Sequence, residues 1–216
     1  MTAAPDAHTW TTIDSLEELV SLVGVPGERA ATKGRPALLE VDRTWLASTP
    51  FCVLATSDAD GNCDASPKGD PAGQLVHVID DTTIALAERP GNKRVDGYKN
   101  VVSNPHVGLN FMIPGRGDTL RINGRATLVS DAPFFKEMVV KGHKPVLALV
   151  VEIDDVYFHC AKAFLRSGLW KPETWDPEAR VPRRAVIASQ VEPNGMSIAQ
   201  FDEYYDESNY ERGLYT

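Results

Sequence analysis

Phe-Cys-Val-Leu-Ala-Thr-Ser at 51–57, Asp-Ala-Asp-Gly-Asn at 58–62 and Cys-Asp-Ala-Ser-Pro-Lys-Gly-Asp at 63–70 decide how this chain folds. Phe51 to Ala55 is an apolar strand, the Asp58–Asn62 run is rich in turn formers, and Cys63 to Ser66 returns. Together they make a β-hairpin. Further along, Leu75–Ile79 and Thr83–Ala87 form a second strand pair across Asp80-Asp81. Val107–Ile113 is a strand closed by Pro114-Gly115-Arg116-Gly117, and Thr119–Val129 is another, with Gly124 as a candidate bulge or close approach. Leu147–Ile153 is a long apolar strand running on toward Tyr157. About seven short strands at hairpin spacing favour a closed or partly closed antiparallel barrel over a parallel α/β sheet.

Helices punctuate this pattern. Asp14 precedes Leu16, Leu19, Val20 and Val23 at helical spacing, with Glu17 placed for a capping box and Gly24 and Pro26 as the stop. A second helix spans Leu38–Ala47, with Leu38, Val41, Trp45 and Leu46 on one face. Val95–Ser103 is amphipathic, and a further helix begins at Asp131 and Pro133 and runs through Val140. From Pro172 the chain is Pro-rich, then basic at Arg180, Arg183 and Arg184, then acidic at Asp202, Glu203, Asp206 and Glu207. Order is expected there where Val186, Ile187, Met196, Ile198 and Phe201 find cover. The organisation expected is an N-terminal helical extension (1–37), a barrel (38–171) and a C-terminal extension packing on the barrel or a partner subunit (172–216).

The 216 residues carry a net charge of −8, which argues against a general nucleic-acid binder and against attraction to anionic lipid. Cys52, Cys63 and Cys160 are odd in number and widely spaced, so no disulfide framework is expected. No apolar stretch nears a membrane span, and Met1–Trp10 lacks a basic region followed by an apolar run. A cytoplasmic protein is the expectation.

The richest chemical signal is Arg89-Pro90-Gly91-Asn92-Lys93-Arg94, between a strand and an amphipathic segment. Turn N–H groups, a helix start and paired cations make a seat for phosphate. Cations at a helix N-terminus oppose the macrodipole, and a bound dianion reverses that penalty; the plainer reading is a solvated turn. Ser66-Pro67-Lys68-Gly69 breaks the run of its strand, where Gly69 permits close approach of backbone to a planar ligand, or else forms an ordinary hairpin corner. Arg121, Asn123 and Arg125 share one strand face, as ligand contacts or as a polar exterior. Phe164, Arg166 and Trp170 follow the last strand and suit an oligomer interface or an aromatic clamp. His159 and Cys160 point to opposite faces as strand neighbours, and no spaced Cys/His set accompanies them, so no metal site is expected. Gly-x-Ser-x-Gly and Gly-x-Gly-x-x-Gly are both missing, which removes the usual markers of serine hydrolysis and of a dinucleotide-binding Rossmann fold.

Taken in order, these motifs resemble the pyridoxamine 5′-phosphate oxidase-like, FMN-binding split-barrel family. The matching pieces are Ala-Thr-Ser at 55–57, Asp-Gly-Asn at 60–62, Asp-Ala-Ser-Pro-Lys-Gly-Asp at 64–70 and Arg-Pro-Gly-Asn-Lys-Arg at 89–94. Asn-Pro-x-Val-Gly-Leu at 104–109 and Leu-Arg-Ile-Asn-Gly-Arg-Ala at 120–126 complete the set. The resemblance implies a mainly β, antiparallel split barrel with a few peripheral α-helices, and a homodimer that binds FMN at its interface. It implies an FMN-dependent oxidoreductase acting on a small molecule. Lys93 and Arg94 would hold the phosphate with Asn92 and Arg89 assisting, and Ser66, Pro67, Lys68 and Gly69 would lie along the flavin ring. Phe164, Arg166 and Trp170 would reach the flavin from the other subunit, and Arg121 would face the substrate. Lys68 or backbone donors near the reduced ring would raise its potential. No general acid or base is assigned. True pyridoxamine phosphate oxidases carry a terminal segment with Arg and His that grips the substrate phosphate. Here Phe201 to Glu207 is acidic, which points to a different oxidation or reduction, or to a deazaflavin in place of FMN. The rival expectation is a flavin or haem carrier or sensor without turnover, with His77, His106, His143 and His159 as candidate axial ligands beyond His8.

Overall fold

The computed structural model describes residues 10–176, 181–192 and 195–215; His8 and Arg180 lie outside them. The chain divides into two compact units, Met1–Gly34 and Arg35–Thr216. The first holds α1 (Leu16–Val23) and α2 (Glu28–Ala31), neither of which buries a residue. Its cap sits one residue later than the sequence suggests. Ser15 Oγ accepts from the Glu18 N–H at 3.1 Å, and the Glu18 carboxylate accepts from the Asp14 N–H at 3.0 Å. Glu18, rather than Glu17, stands three residues past the capping hydroxyl.

The second unit opens with α3 (Glu40–Ser48), which buries Trp45 and Leu46 but leaves Val41 exposed. Asp42 turns inward in its stead. Its carboxylate accepts two bonds from the Arg35 guanidinium at 2.6 and 2.9 Å and one from the Leu39 N–H at 2.8 Å. A buried acid is tolerable only with such partners.

Seven strands follow: β1 (Phe51–Ser57), β2 (Cys63–Gly69), β3 (Val76–Val78), β4 (Thr83–Ala87), β5 (His106–Met112), β6 (Thr119–Val129) and β7 (Ala148–His159). They form one antiparallel sheet in the order β2-β1-β5-β6-β7-β4-β3. Three strands separate β1 from β4, yet Cys52 and Leu54 of β1 share a buried cluster with Ile84 and Leu86 of β4. The sheet therefore curls around a single core. Among the described residues no ladder joins the two edge strands, β2 and β3, which makes the barrel a split one.

The hairpin turn is held by Asp58, whose carboxylate accepts from the N–H groups of Asp60 and Asn62 and from Asn62 Nδ2, each at 2.9 Å. At Gly124 the register with β7 shifts, as the bulge reading expects. A Cβ there would stand 2.0 Å from the Glu152 carbonyl oxygen, so only glycine fits. The turn after β6 corrects the expected helix through Val140. Pro133–Met138 is a 3-10 helix, whose three-residue period places Phe135 and Met138 together in a small core.

Between β4 and β5 lies α4 (Asp96–Ser103), which begins two residues after Arg94. After β7 come α5 (Lys162–Ser167), α6 (Arg184–Val191), α7 (Ile198–Tyr204) and α8 (Glu207–Gly213). Of the apolar residues expected to organise this region, Phe201 is buried, packed with Ala185 and Ala188, while Ile198 stays exposed. The two alanines let α6 approach α7 closely, and the pattern of large apolar residues did not point to them. Among the described residues no helix is long and apolar enough to cross a membrane.

Candidate functional site

The Ser66–Gly69 segment does not break its strand. β2 runs through it, with Ser66, Pro67, Lys68 and Gly69 opposite Leu54, Val53, Cys52 and Phe51 of β1. Pro67 is tolerated because β2 is an edge and the missing donor would have faced outward. Along β2, Asp64, Ser66, Lys68 and Asp70 turn inward and the residues between them stay exposed.

On the opposite side, β4 ends at Ala87 and the chain turns through Glu88–Val95 into α4. Asn92 Oδ1 accepts from the Arg94 N–H at 3.0 Å, which tightens the turn. Lys93 and Val95 both have positive φ, 60° and 47°, on either side of Arg94. Left-handed backbone is costly for a β-branched residue. The Arg94 N–H between them is already spent on Asn92 Oδ1, so the donors left open to an anion here are those of the first turn of α4. Val95, rather than Lys93 or Arg94, is the N-cap of α4, and no side chain caps the helix. Its first turn presses against β2: a Cβ on Gly97 would stand 3.1 Å from Asp64 Oδ2 and 3.6 Å from Ser66 Oγ.

These two walls enclose a cavity of about 590 Å³. Eight residues singled out in the sequence line it: Ser66, Pro67, Lys68, Gly69, Arg89, Asn92, Lys93 and Arg94. Four carboxylates, Asp64, Asp70, Glu88 and Asp96, share the wall with the four cations, so an anion would meet directed donors there rather than a strong net field. Lys68 is no free cation. Its Nζ lies 3.3 Å from Glu88 Oε2 and 4.5 Å from the centre of the Tyr98 ring, and the Tyr98 hydroxyl donates to the same Glu88 oxygen at 2.6 Å. Burial, and then the Glu88 carboxylate, push the Tyr98 phenol well above its ordinary range. Arg94, largely exposed, pairs with Asp96, which Lys99 also reaches at 3.0 Å. Hydrogen bonds from Arg94 and then Lys99 hold the Asp96 carboxyl below the usual range. Arg89 donates from Nε to Asp70 Oδ2 at 2.7 Å, while its Nη2 is shut from solvent with no partner among the described residues.

The remaining sequence candidates lie elsewhere in the chain. Phe164 and Trp170 stack on each other at 5.7 Å with rings 9° from parallel, and Arg166 is exposed nearby on α5. Arg121 lies opposite Asn110 in the β5–β6 ladder with its guanidinium over the Tyr157 ring at 5.3 Å. None of these four lines the cavity. Nor do the histidines. His77 stacks on Phe134 and lies near Glu137, His106 bonds Asn104, and His143 lies against Tyr215, while His159 ends β7. Among the described residues no group of three His, Cys, Asp or Glu is placed to hold a metal. Sequence reading quoted Asp70 without giving it a role and did not single out Glu88 or Tyr98 as wall residues. It expected the acidic tail over the cleft or the partner subunit but named neither Leu214 nor Tyr215, which line the cavity.

A family model described as pyridoxamine 5′-phosphate oxidase matches residues 38–160, more than half the chain and both cavity walls. The chain belongs to the pyridoxamine 5′-phosphate oxidase family. No curated protein matches it. Group A Streptococcus HupZ is similar in structure to this family member, at 18% identity over 55% of this chain and 92% of that one, with a TM-score of 0.44. An FAD-binding protein from Mesorhizobium loti is 18% identical over 58% of this chain and 94% of that one, with a TM-score of 0.39. An F420 reductase is 15% identical over 56% and 98%, with a TM-score of 0.40.

Proposed function

We propose that this family member is an FMN-dependent oxidoreductase acting on a small molecule, with the cavity between β2 and the start of α4 as its cofactor seat. One observation carries the reading. The chain brings Ser66–Gly69 and Arg89–Arg94, picked out separately, into one cavity beside a helix start that no side chain caps. The donors fit a phosphate: the N–H groups of the uncapped start of α4, the ammonium of Lys93, and a buried guanidinium nitrogen of Arg89 without an acceptor among the described residues. In this reading Lys93 and Arg94 hold the phosphate and Asn92 shapes the turn. The edge strand from Ser66 to Gly69 offers the flavin its unpaired backbone groups, and Lys68, fixed by Glu88 and Tyr98, sets the charge beside it.

When bound, FMN supplies the redox chemistry, and the protein's part is to orient and to exclude water. Phe164, Arg166, Trp170 and Arg121 lie away from the cavity of their own chain, and a homodimer would bring a second copy's set to it.

The test is the visible spectrum of the purified protein, release and mass of any chromophore, and calorimetric titration with FMN. Flavin absorbance with the mass of FMN is the expected result; a deazaflavin mass or a haem band would replace the cofactor. Arg94→Ala should weaken FMN by about tenfold, the value of one charge-assisted bond shared with Asp96. An unchanged affinity would refute the phosphate assignment.

A further inference from the structure

The Arg89 corner of the cavity is closed by the protein itself. Leu214 and Tyr215, which follow α8, line it. The Tyr215 hydroxyl donates to Asp70 Oδ1 at 3.0 Å, across 145 positions of sequence. Asp70 grips Arg89 through its other oxygen at 2.7 Å. The Tyr215 ring lies 5.9 Å from the Arg89 guanidinium carbon, 5.3 Å from Lys141 Nζ and 6.4 Å from the His143 ring.

We propose that Tyr215 is a latch over Arg89, closed in the ligand-free protein and displaced when an anionic ligand takes that guanidinium. This rests on the cavity being an anion-binding cofactor seat, and it adds how entry to that seat is regulated. Two features distinguish a latch from a fixed wall. First, the hold is light: α8 buries no residue and is tied to α7 by Asn209 Nδ2 on the Glu203 carbonyl and by the Tyr210 ring on Tyr204 and Tyr205, while Tyr215 beyond it has one hydroxyl bond and ring contacts. Segments with few buried contacts open at low free energy. Second, the closed state is imperfect, because Arg89 Nη2 is buried under it without an acceptor among the described residues. An anion reaching Arg89 would satisfy that nitrogen, so it would favour the open state over the closed one. A ligand shifts such an equilibrium only through this kind of difference. While the latch is closed, apparent affinity falls by the fraction of molecules that are open.

The experiment uses the full chain, wild type, Tyr215→Phe and Tyr215→Ala, titrated calorimetrically with inorganic phosphate and with FMN. Hydrogen exchange of residues 207–215 is followed with and without each ligand. Tyr215→Ala should bind phosphate roughly three- to tenfold more tightly, with Tyr215→Phe between it and wild type. Exchange in 207–215 should quicken when wild type is saturated. Equal or weaker binding by Tyr215→Ala, or exchange that slows or stays unchanged on saturation, overturns the latch. FMN binding with either of those results overturns the latch and supports the flavin reading. Phosphate binding that quickens exchange, with no affinity for FMN, supports the latch and overturns the flavin reading. A chain that takes neither ligand overturns both.

Discussion

Replacing Asp70 with alanine should cost about 3–5 kcal/mol of folding free energy, the usual result of stripping one partner from a buried ion pair. The size follows from where the two charges sit. The Asp70 side chain is 2% exposed and that of Arg89 is 13% exposed, so neither is screened by water as a surface pair would be. Asp70 accepts from Arg89 Nε at 2.7 Å and from the Tyr215 hydroxyl at 3.0 Å. Without it the guanidinium keeps its positive charge, loses its carboxylate, and retains an Nη2 that already lacks a partner among the described residues. Arg89→Met makes the mirror-image defect, a buried carboxylate left with one hydroxyl. The double variant removes both charges, so its cost should fall short of the two single costs added together by at least about 2 kcal/mol. Urea unfolding with linear extrapolation measures all three, and for a chain of this length the melting temperature of Asp70→Ala should fall by roughly 6–20 °C. Single costs that add to within about 0.5 kcal/mol of the double cost would refute the coupling. So would an Asp70→Ala cost below about 1 kcal/mol, the range of exposed pairs.

Gly124→Ala forces a Cβ to within 2.0 Å of a backbone oxygen that cannot swing away, so it should cost about 3 kcal/mol or more; a melting temperature within ~2 °C of wild type would contradict the bulge. Of the three thiols, Cys63 and Cys160 are exposed while burial pushes the Cys52 thiol up to about 12. A disulfide reagent near pH 8 should therefore count two thiols in the native protein and three in denaturant, and three fast thiols in the native state would count against the packing of β1. The raised Tyr98 phenol gives a pH dependence of definite sign. The unfolded phenol ionises near about pH 10 and the folded one higher, so its contribution is full below that point and lost as pH rises beyond it. Wild type should lose stability above about pH 10 more steeply than Tyr98→Phe; parallel declines in denaturant midpoint would show that Tyr98 is not the group responsible.

The strands were legible wherever apolar runs end at turn formers. Thr83–Ala87 and Thr119–Val129 have the bounds their sequence suggests, because each is fixed by local chemistry. The course of β2 through Pro67 was not, since the tolerance of proline depends on β2 being an edge, and edges are assigned by the order of strands that lie far apart in sequence. Part of the cavity wall was legible for a similar reason: cations, glycine and proline bunched in two short runs announce a turn and a seat. The carboxylates that hold those cations gave no such signal. Glu88 meets Lys68 across 20 positions, Asp70 meets Arg89 across 19, and Tyr215 meets Asp70 across 145. Val41 and Asp42 show the same limit in one turn of helix. Hydrophobic spacing put the valine inside, and a guanidinium outside the helix put the acid there.

The position of the cavity follows from the way the barrel stays open. β2 stands at one end of the strand order and β4, beside β3, near the other. The cavity is walled by β2 on one side and by Ala87 and Glu88 at the end of β4 on the other, with Leu75 just before β3. It therefore occupies the seam that a closing ladder would have filled. An unpaired edge strand has to be covered or blunted to avoid pairing with another chain, and here the covering groups are the first turn of α4, Leu214 and Tyr215. Two of those three come from a segment held by few buried contacts. In the proposed reading the same unclosed seam supplies free backbone groups for a ligand and a removable cover over them, and Arg89 is the residue for which cover and ligand compete.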